Sequence, residues 1–122
     1  DSHSILWSAA NDDRISKRAQ EIIYDWDNLL FVSMASIWEI CIKYSLNKLD
    51  LKFPVNQFLD YLKETNIQLL QIEIKHSLAI KELPFHHKDP FDRMIIAQAI
   101  EHNLTIITKD QFMPKYHVKT IW

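Results

Sequence analysis

The chain has 122 residues, with a hydrophobic fraction of 48%, a charged fraction of 25%, a net charge of -2 and a pI of about 6.3. These values suit one soluble domain around a single core, and they argue against a broadly basic nucleic-acid-binding surface. Any nucleic acid would have to be held by a local patch or through bound metal. No apolar run approaches the roughly 20 residues that cross a bilayer as a helix, so no membrane partner is expected. No secretory signal is visible, and the lone Cys41 cannot form an internal disulfide, which points to a reducing, cytoplasmic setting. Glycine is absent. That removes P-loop and Rossmann readings and passes the positive-φ positions to asparagine, with Asn47 and Asn103 best placed.

In chain order, Asp1-Ser2-His3 precedes the apolar Ile5-Leu6-Trp7, which begins a helix. Ser16 reads as the N-cap of a helix over 17–24, with Ala19, Ile22 and Ile23 inward. Leu29 to Val32 reads as a buried strand. Ser33 to Ser36 opens a helix through Leu46, in which Ile37, Ile40, Cys41 and Tyr44 form an apolar stripe that Trp38 and Ile42 widen. Asn47 to Lys52 turns the chain. Pro54 opens the next helix, with Phe58, Leu59 and Leu62 inward. Gln68 to Ile72 reads as a further strand, one of three main strand segments, and Lys75 to Leu83 as a helix carrying Leu78, Ala79 and Leu83. Asp89-Pro90 then starts a long helix as N-cap and first residue, with Phe91, Met94, Ile95, Ala99 and Ile100 at helical spacing. Asn103 closes it. Leu104 to Ile107 is a doubly buried strand, and Val118 to Ile121 an edge strand. Helices and strands alternate, which predicts a parallel sheet with helices on both faces.

Four acids stand at element ends or among apolar neighbours: Asp1, Glu39, Asp92 and Asp110. Asp92 on a first helical turn and Asp110 at a strand end fit one shared site, because ligand chemistry in open α/β folds gathers at the carboxyl ends of strands. Carboxylates brought together repel one another unless a cation is present. Oxygen donors of this kind suit Mg²⁺ or Mn²⁺, which orient a phosphodiester and offset charge on its leaving oxygen. Taken singly, each acid has a plainer reading. Asp92 reads as a dipole partner, Asp110 as a turn residue, and Glu39 as the i,i+4 partner of Lys43. Spacing by itself does not bring the four together.

The segments DSHSILW, VSMASIWEICIKYSLNKLDL, LPFHHKDPFDRMIIAQA and LTIITKDQF, in this order and with the closing VKTIW, resemble the PIN-domain ribonucleases of the VapC toxin type. The resemblance covers nearly the whole chain. It implies a single domain over 1–122, a three-layer α/β/α sandwich around a central parallel sheet. It implies an acidic quartet on Asp1, Glu39, Asp92 and Asp110 that holds Mg²⁺ or Mn²⁺. It implies cleavage of RNA, such as tRNA or rRNA, to 5′-phosphate and 3′-hydroxyl ends, control by a cognate antitoxin, and a homodimer. Family members open with a hydrophobic strand before the first acid, so a first strand upstream of Asp1 is expected. DSH stands here for the usual DTH, and asparagine for glycine in the LGKL turn. A catalytically silent module binding antitoxin or RNA is the alternative, and a phosphoacceptor receiver domain a third reading that Glu39 on a helix does not suit.

The remaining residues carry paired readings. His86-His87-Lys88 is a phosphate-contacting edge, a pH-sensitive contact near the site, or a solvated loop, and the loop is the simpler. His3 is a local capping partner or a residue near the metal. Ser33 and Ser36 cap their helix or orient Glu39. Arg93 contacts a phosphate or pairs with an acid, and Lys43 and Lys109 touch either an acid or RNA. Trp7, Trp38, Phe91 and Cys41 read as core, and no Cys/His spacing supports a structural zinc site.

Overall fold

Short polar side chains begin the helices where the sequence places them. Ser16 accepts from the Ala19 N–H at 3.0 Å and Ser33 from the Ala35 N–H at 3.0 Å, while Asp89 Oδ1 accepts from Phe91 and Asp92, both at 2.9 Å. The computed structural model describes residues 1–49, 51 and 53–122. Its elements are α1 (Ser2–Ala9), α2 (Lys17–Tyr24), β1 (Leu30–Ser33), α3 (Met34–Ser45), α4 (Val55–Glu64), β2 (Ile67–Leu70), α5 (Ile74–Ile80), α6 (Pro90–His102), β3 (Thr105–Ile107), a 3-10 turn (Met113–Tyr116) and β4 (Lys119–Ile121). The expected helices and strands are present within a few residues. The strands expected over Leu29 to Val32 and Leu104 to Ile107 are not buried on both faces, because Leu29 and Phe31 of one and Thr105 of the other are exposed. The 3-10 turn was not foreseen. Of the turn expected over Asn47 to Lys52, Asp50 and Lys52 lie outside the described residues.

The strands pair in parallel, as an α/β chain requires. β1 lies beside β2 with Leu30 opposite Ile67 and Ser33 opposite Leu70, and α3 and α4 form the crossover between them. β3 lies beside β4 with Thr105 opposite Lys119 and Ile107 opposite Ile121. Among the described residues these are two separate pairs. A cavity of about 470 Å³ lies between them, lined by Leu30, Val32, Ile106 and Ile107 along its length and by Asp1 and Ser33.

α6 organises the interior. Arg93, Ile95, Ile96, Ala97, Gln98 and Ala99 are all buried, so the helix is covered on most of its circumference. Ile96, Met113, Tyr116 and Ile106 form one cluster of the core, and Ile5, Leu6, Val32, Ile40 and Phe58 a second. Gln98 ties strands to helix. Its amide donates to Gln71 O at 3.1 Å, and its carbonyl accepts from the Ser33 hydroxyl at 2.5 Å. No helix among the described residues is long and apolar enough to cross a membrane.

Burial departs from apolar periodicity in four helices. On α3 the buried face is Ala35, Ser36, Glu39 and Ile40, whereas Cys41 is exposed and Trp38 is 57% exposed. On α5 the buried residue is His76, with Leu78 outside, and Leu59 of α4 and Ile100 of α6 are also exposed. The expectation that Cys41, Trp38, Tyr44, Leu78, Leu59 and Ile100 face the core is therefore corrected. In α3 and α5 a polar contact, and not apolar area, selects the inward face.

Asn11, Asn47, Asn103 and His117 take positive φ, so asparagine does replace glycine. Asn103 sits at φ 52 and ψ 48, and the Leu104 N–H returns to Ala99 O at 2.8 Å. Asn103→Val is expected to lower stability by about 1–2 kcal/mol in urea unfolding, the cost of a left-handed residue with a bulky Cβ. Asn103→Gly should change little, because relief of that strain is offset by a freer unfolded chain.

Candidate metal centre

The four acids are positioned by four different kinds of local structure. Asp1 is the N-cap of α1. Its Oδ1 accepts from the Ser4 N–H at 2.8 Å and lies 2.7 Å from the Ser4 hydroxyl. Its Oδ2 accepts from the Thr108 hydroxyl, and its nitrogen donates to Ile107 O at 2.9 Å. These contacts tie the start of α1 to the carboxyl end of β3. Thr108 Oγ1 also accepts from the Asp110 N–H at 3.0 Å, so one buried hydroxyl links Asp1 to Asp110.

Glu39 projects from the inward face of α3 and is 4% exposed. Oε2 accepts from the Ser2 hydroxyl at 2.5 Å and Oε1 from the Lys43 ammonium one turn on. The expected i,i+4 pair with Lys43 is therefore present, and it coexists with placement near the other acids. Asp110 follows β3 and starts the 3-10 turn, with Oδ1 accepting from Phe112 at 2.6 Å and Met113 at 3.2 Å. Asp92 stands in the first turn of α6, half-buried, and among the described residues no group donates a hydrogen bond to its carboxyl.

Electrostatics show that these groups share one region. The Asp92 carboxyl is pushed up from 3.8 to about 7, first by burial and then by the negative charges of Asp89, Glu39 and Asp110. The Asp1 nitrogen lies in the field of Asp92 and Glu39. An acid crowded by acids in a half-buried space is the situation that a divalent cation relieves, and the four side chains offer only hard oxygen donors. The residues present therefore fit a Mg²⁺ or Mn²⁺ ion.

Several neighbours differ from expectation. Arg93 meets neither phosphate nor acid. It is buried, donating to Pro84 O at 2.7 Å, Leu83 O at 3.2 Å and Ile80 O at 3.3 Å, so it closes the carboxyl end of α5. Ser33 caps α3 and donates to Gln98, leaving Ser2 as the serine that touches Glu39. His3 is exposed and packs on Trp7 at 5.5 Å. Lys109 sits over the Trp7 ring at 4.5 Å. His87 is not in a solvated loop: it is largely buried, and Nε2 lies 3.5 Å from Asp92 Oδ2. Ser2 and Thr108 are neighbours of the acids that spacing did not reveal, because each is set by contact between distant segments, whereas His87 lies near the acids, as one of its sequence readings expects.

A second cluster, Glu73, His76 and His102, has ligand atoms within 4.8 Å of one another. It lies about 15 Å along α6 from Asp92, at ten residues of 1.5 Å each. His76 Nδ1 accepts from the Glu73 N–H at 2.9 Å, so the neutral ring carries its proton on Nε2 and donates to His102 Nε2 at 2.8 Å. Burial and then the facing His102 hold His76 below its ordinary pKa. This pair joins α5 to α6 and has no free His76 nitrogen to offer a cation.

The profile of the PIN domain matches residues 1–118. Ribonuclease VapC22 of Mycobacterium tuberculosis is 31% identical over 126 residues, covering 100% of this chain and 95% of that protein.

Because Asp92 takes up a proton on folding between 3.8 and about 7, the folded state loses stability as pH rises through that window. Asn at this position has no such dependence. In chelator, Asp92→Asn should unfold at higher urea than the parent protein at pH 8, with the gap narrowing toward pH 4. Equal pH dependence in both proteins would show that neither burial nor neighbouring charge raises Asp92.

Proposed function

This chain belongs to the PIN-domain family, in its VapC-type branch, and on that premise we propose that it is a metal-dependent endoribonuclease toxin. The observation that carries the proposal is the half-buried Asp92 carboxyl, pushed up to about 7 first by burial and then by the charges of Asp89, Glu39 and Asp110, with Asp1 linked to Asp110 through the Thr108 hydroxyl. Asp1, Glu39, Asp92 and Asp110 are the residues that would hold Mg²⁺ or Mn²⁺. When bound, such a cation supplies charge to a phosphodiester and acidity to a water molecule.

The chain's own contribution is preorganisation. Ser4 and Thr108 fix Asp1, while Ser2 and Lys43 fix Glu39. Backbone N–H groups of Phe112 and Met113 fix Asp110. Three of the four carboxylates, Asp1, Glu39 and Asp110, are thus held by fixed donors. RNA is the proposed substrate because Ribonuclease VapC22 is a full-length relative, and the expected products carry 5′-phosphate and 3′-hydroxyl ends. Family membership supports tRNA or rRNA as the target class, neutralisation by a cognate antitoxin, a homodimer and a cytoplasmic location. The proposed architecture is a single PIN domain over 1–122, a three-layer sandwich in which β1–β2 and β3–β4 are halves of one central sheet. The apolar cavity between β1 and β3 supports that reading, since both inner strand edges face it.

Incubation of the protein with total RNA is expected to give discrete fragments in Mn²⁺ or Mg²⁺ and none in chelator. Asp92→Asn with Asp110→Asn should lower the rate by roughly 100-fold or more, the scale of losing a charge-stabilising group. Unchanged cleavage by that folded double variant would sink the proposal.

A further inference from the structure

Three of the four acids are held by fixed donors, and Asp92 is the exception. Asp1 has Ser4 and Thr108, Glu39 has Ser2 and Lys43, and Asp110 has two backbone N–H groups. Metal-binding carboxylates are normally oriented by such outer partners, whose loss weakens metal binding. The group that faces Asp92 is His87. Its Nε2 is buried, finds no hydrogen-bond partner among the described residues, and lies 3.5 Å from Asp92 Oδ2. A buried polar atom left unpaired is costly, and its nearest carboxylate is the one acid that lacks a donor.

The proton on His87 can be placed from the contacts behind it. Tyr116 Oη receives the His87 backbone N–H at 3.1 Å and Arg93 Nη1 at 3.3 Å, which occupies both of its lone pairs. Its own proton is then free to be donated, and the nearer acceptor is His87 Nδ1 at 2.8 Å, ahead of His87 O at 3.2 Å. A neutral imidazole that accepts at Nδ1 carries its proton at Nε2, on the side of Asp92. Tyr116 is 4% exposed and Arg93 is anchored on the carbonyls of Ile80, Leu83 and Pro84. The imidazole is therefore held by the rigid junction of α5 and α6.

We propose that His87 is the positioning residue of Asp92: its Nε2–H closes onto Oδ2 and sets the orientation in which Asp92 meets the cation. This rests on the reading of the four acids as a metal centre. His87 acts through Asp92 and touches neither substrate nor metal. Tyr116 and Arg93 serve the same end at one and two removes, by choosing the tautomer.

The test is Mn²⁺ affinity of the full chain, read from the free-Mn²⁺ paramagnetic resonance signal, with circular dichroism and urea unfolding to verify folding. His87→Ala is expected to weaken Mn²⁺ binding by about 10-fold or more, the scale of losing an outer-sphere partner. His87→Gln should retain most of the affinity, because its amide nitrogen reaches the place of Nε2 and donates. Wild-type affinity in His87→Ala overturns the proposal. So does an equal loss in folded His87→Gln, which would mean that the imidazole only packs the loop. Asp92→Asn is the separating measurement. If it binds Mn²⁺ as tightly as the parent protein, the metal centre itself is refuted and the role of His87 goes with it. If it loses affinity while His87→Ala does not, only the positioning role fails.

Discussion

Like charges confined to a half-buried space repel, and that repulsion shapes much of this molecule. Four carboxylates from α1, α3, α6 and the exit of β3 are brought together. The fold offsets their mutual cost with hydroxyls, backbone N–H groups and the Lys43 ammonium. The expense shows elsewhere in the chain. α3 buries Ser36 and Glu39 where apolar side chains would stabilise more, and Cys41 is exposed while the polar residues stay inside. A protein selected for stability alone would not arrange its inner helix face in this way.

Local chemistry was legible. Ser16, Ser33, Asp89-Pro90 and Asn103 mark helix ends by side-chain and backbone effects confined to a few residues, and each does what its type predicts. The parallel pairing followed from alternation of elements. What could not be read was which face turns inward when polar contacts compete with apolar area. His76 is buried because the Glu73 N–H and His102 satisfy both its nitrogens, and His102 lies on a different helix. Arg93 resembled a phosphate ligand because it follows Asp92. In fact it spends its donors on the end of α5. Periodicity measures area per turn and carries no information about such pairings.

The candidate site was legible only as a whole pattern. Asp1, Glu39, Asp92 and Asp110 each have a bland local role, and in the structure each also performs it: Asp1 caps α1, Glu39 pairs with Lys43, Asp92 sits at the positive end of α6, and Asp110 starts a turn. Structural and functional readings of these acids were never exclusive. The supporting residues were hidden for a different reason. Thr108 matters because Asp1 and Asp110 flank it in space, and His87 because Tyr116 from a later turn holds its ring. Neither relation leaves a trace in the order of residues.

The contact between Asp1 and the exit of β3 joins positions 106 and 107 residues apart, and this has a consequence for biosynthesis. A ribosome makes the chain from the amino end, so Asp1 and Glu39 emerge first and Asp110 last of the four. The N–H groups that cradle Asp110 come later still. A nascent chain therefore displays three of the acids with no closed constellation, and Asp1 waits for Thr108 before it is held. For a protein proposed to cut RNA, and assembled on a machine made of RNA, this order is a built-in delay. Its destructive chemistry is deferred until the fourth acid and its cradle have been added.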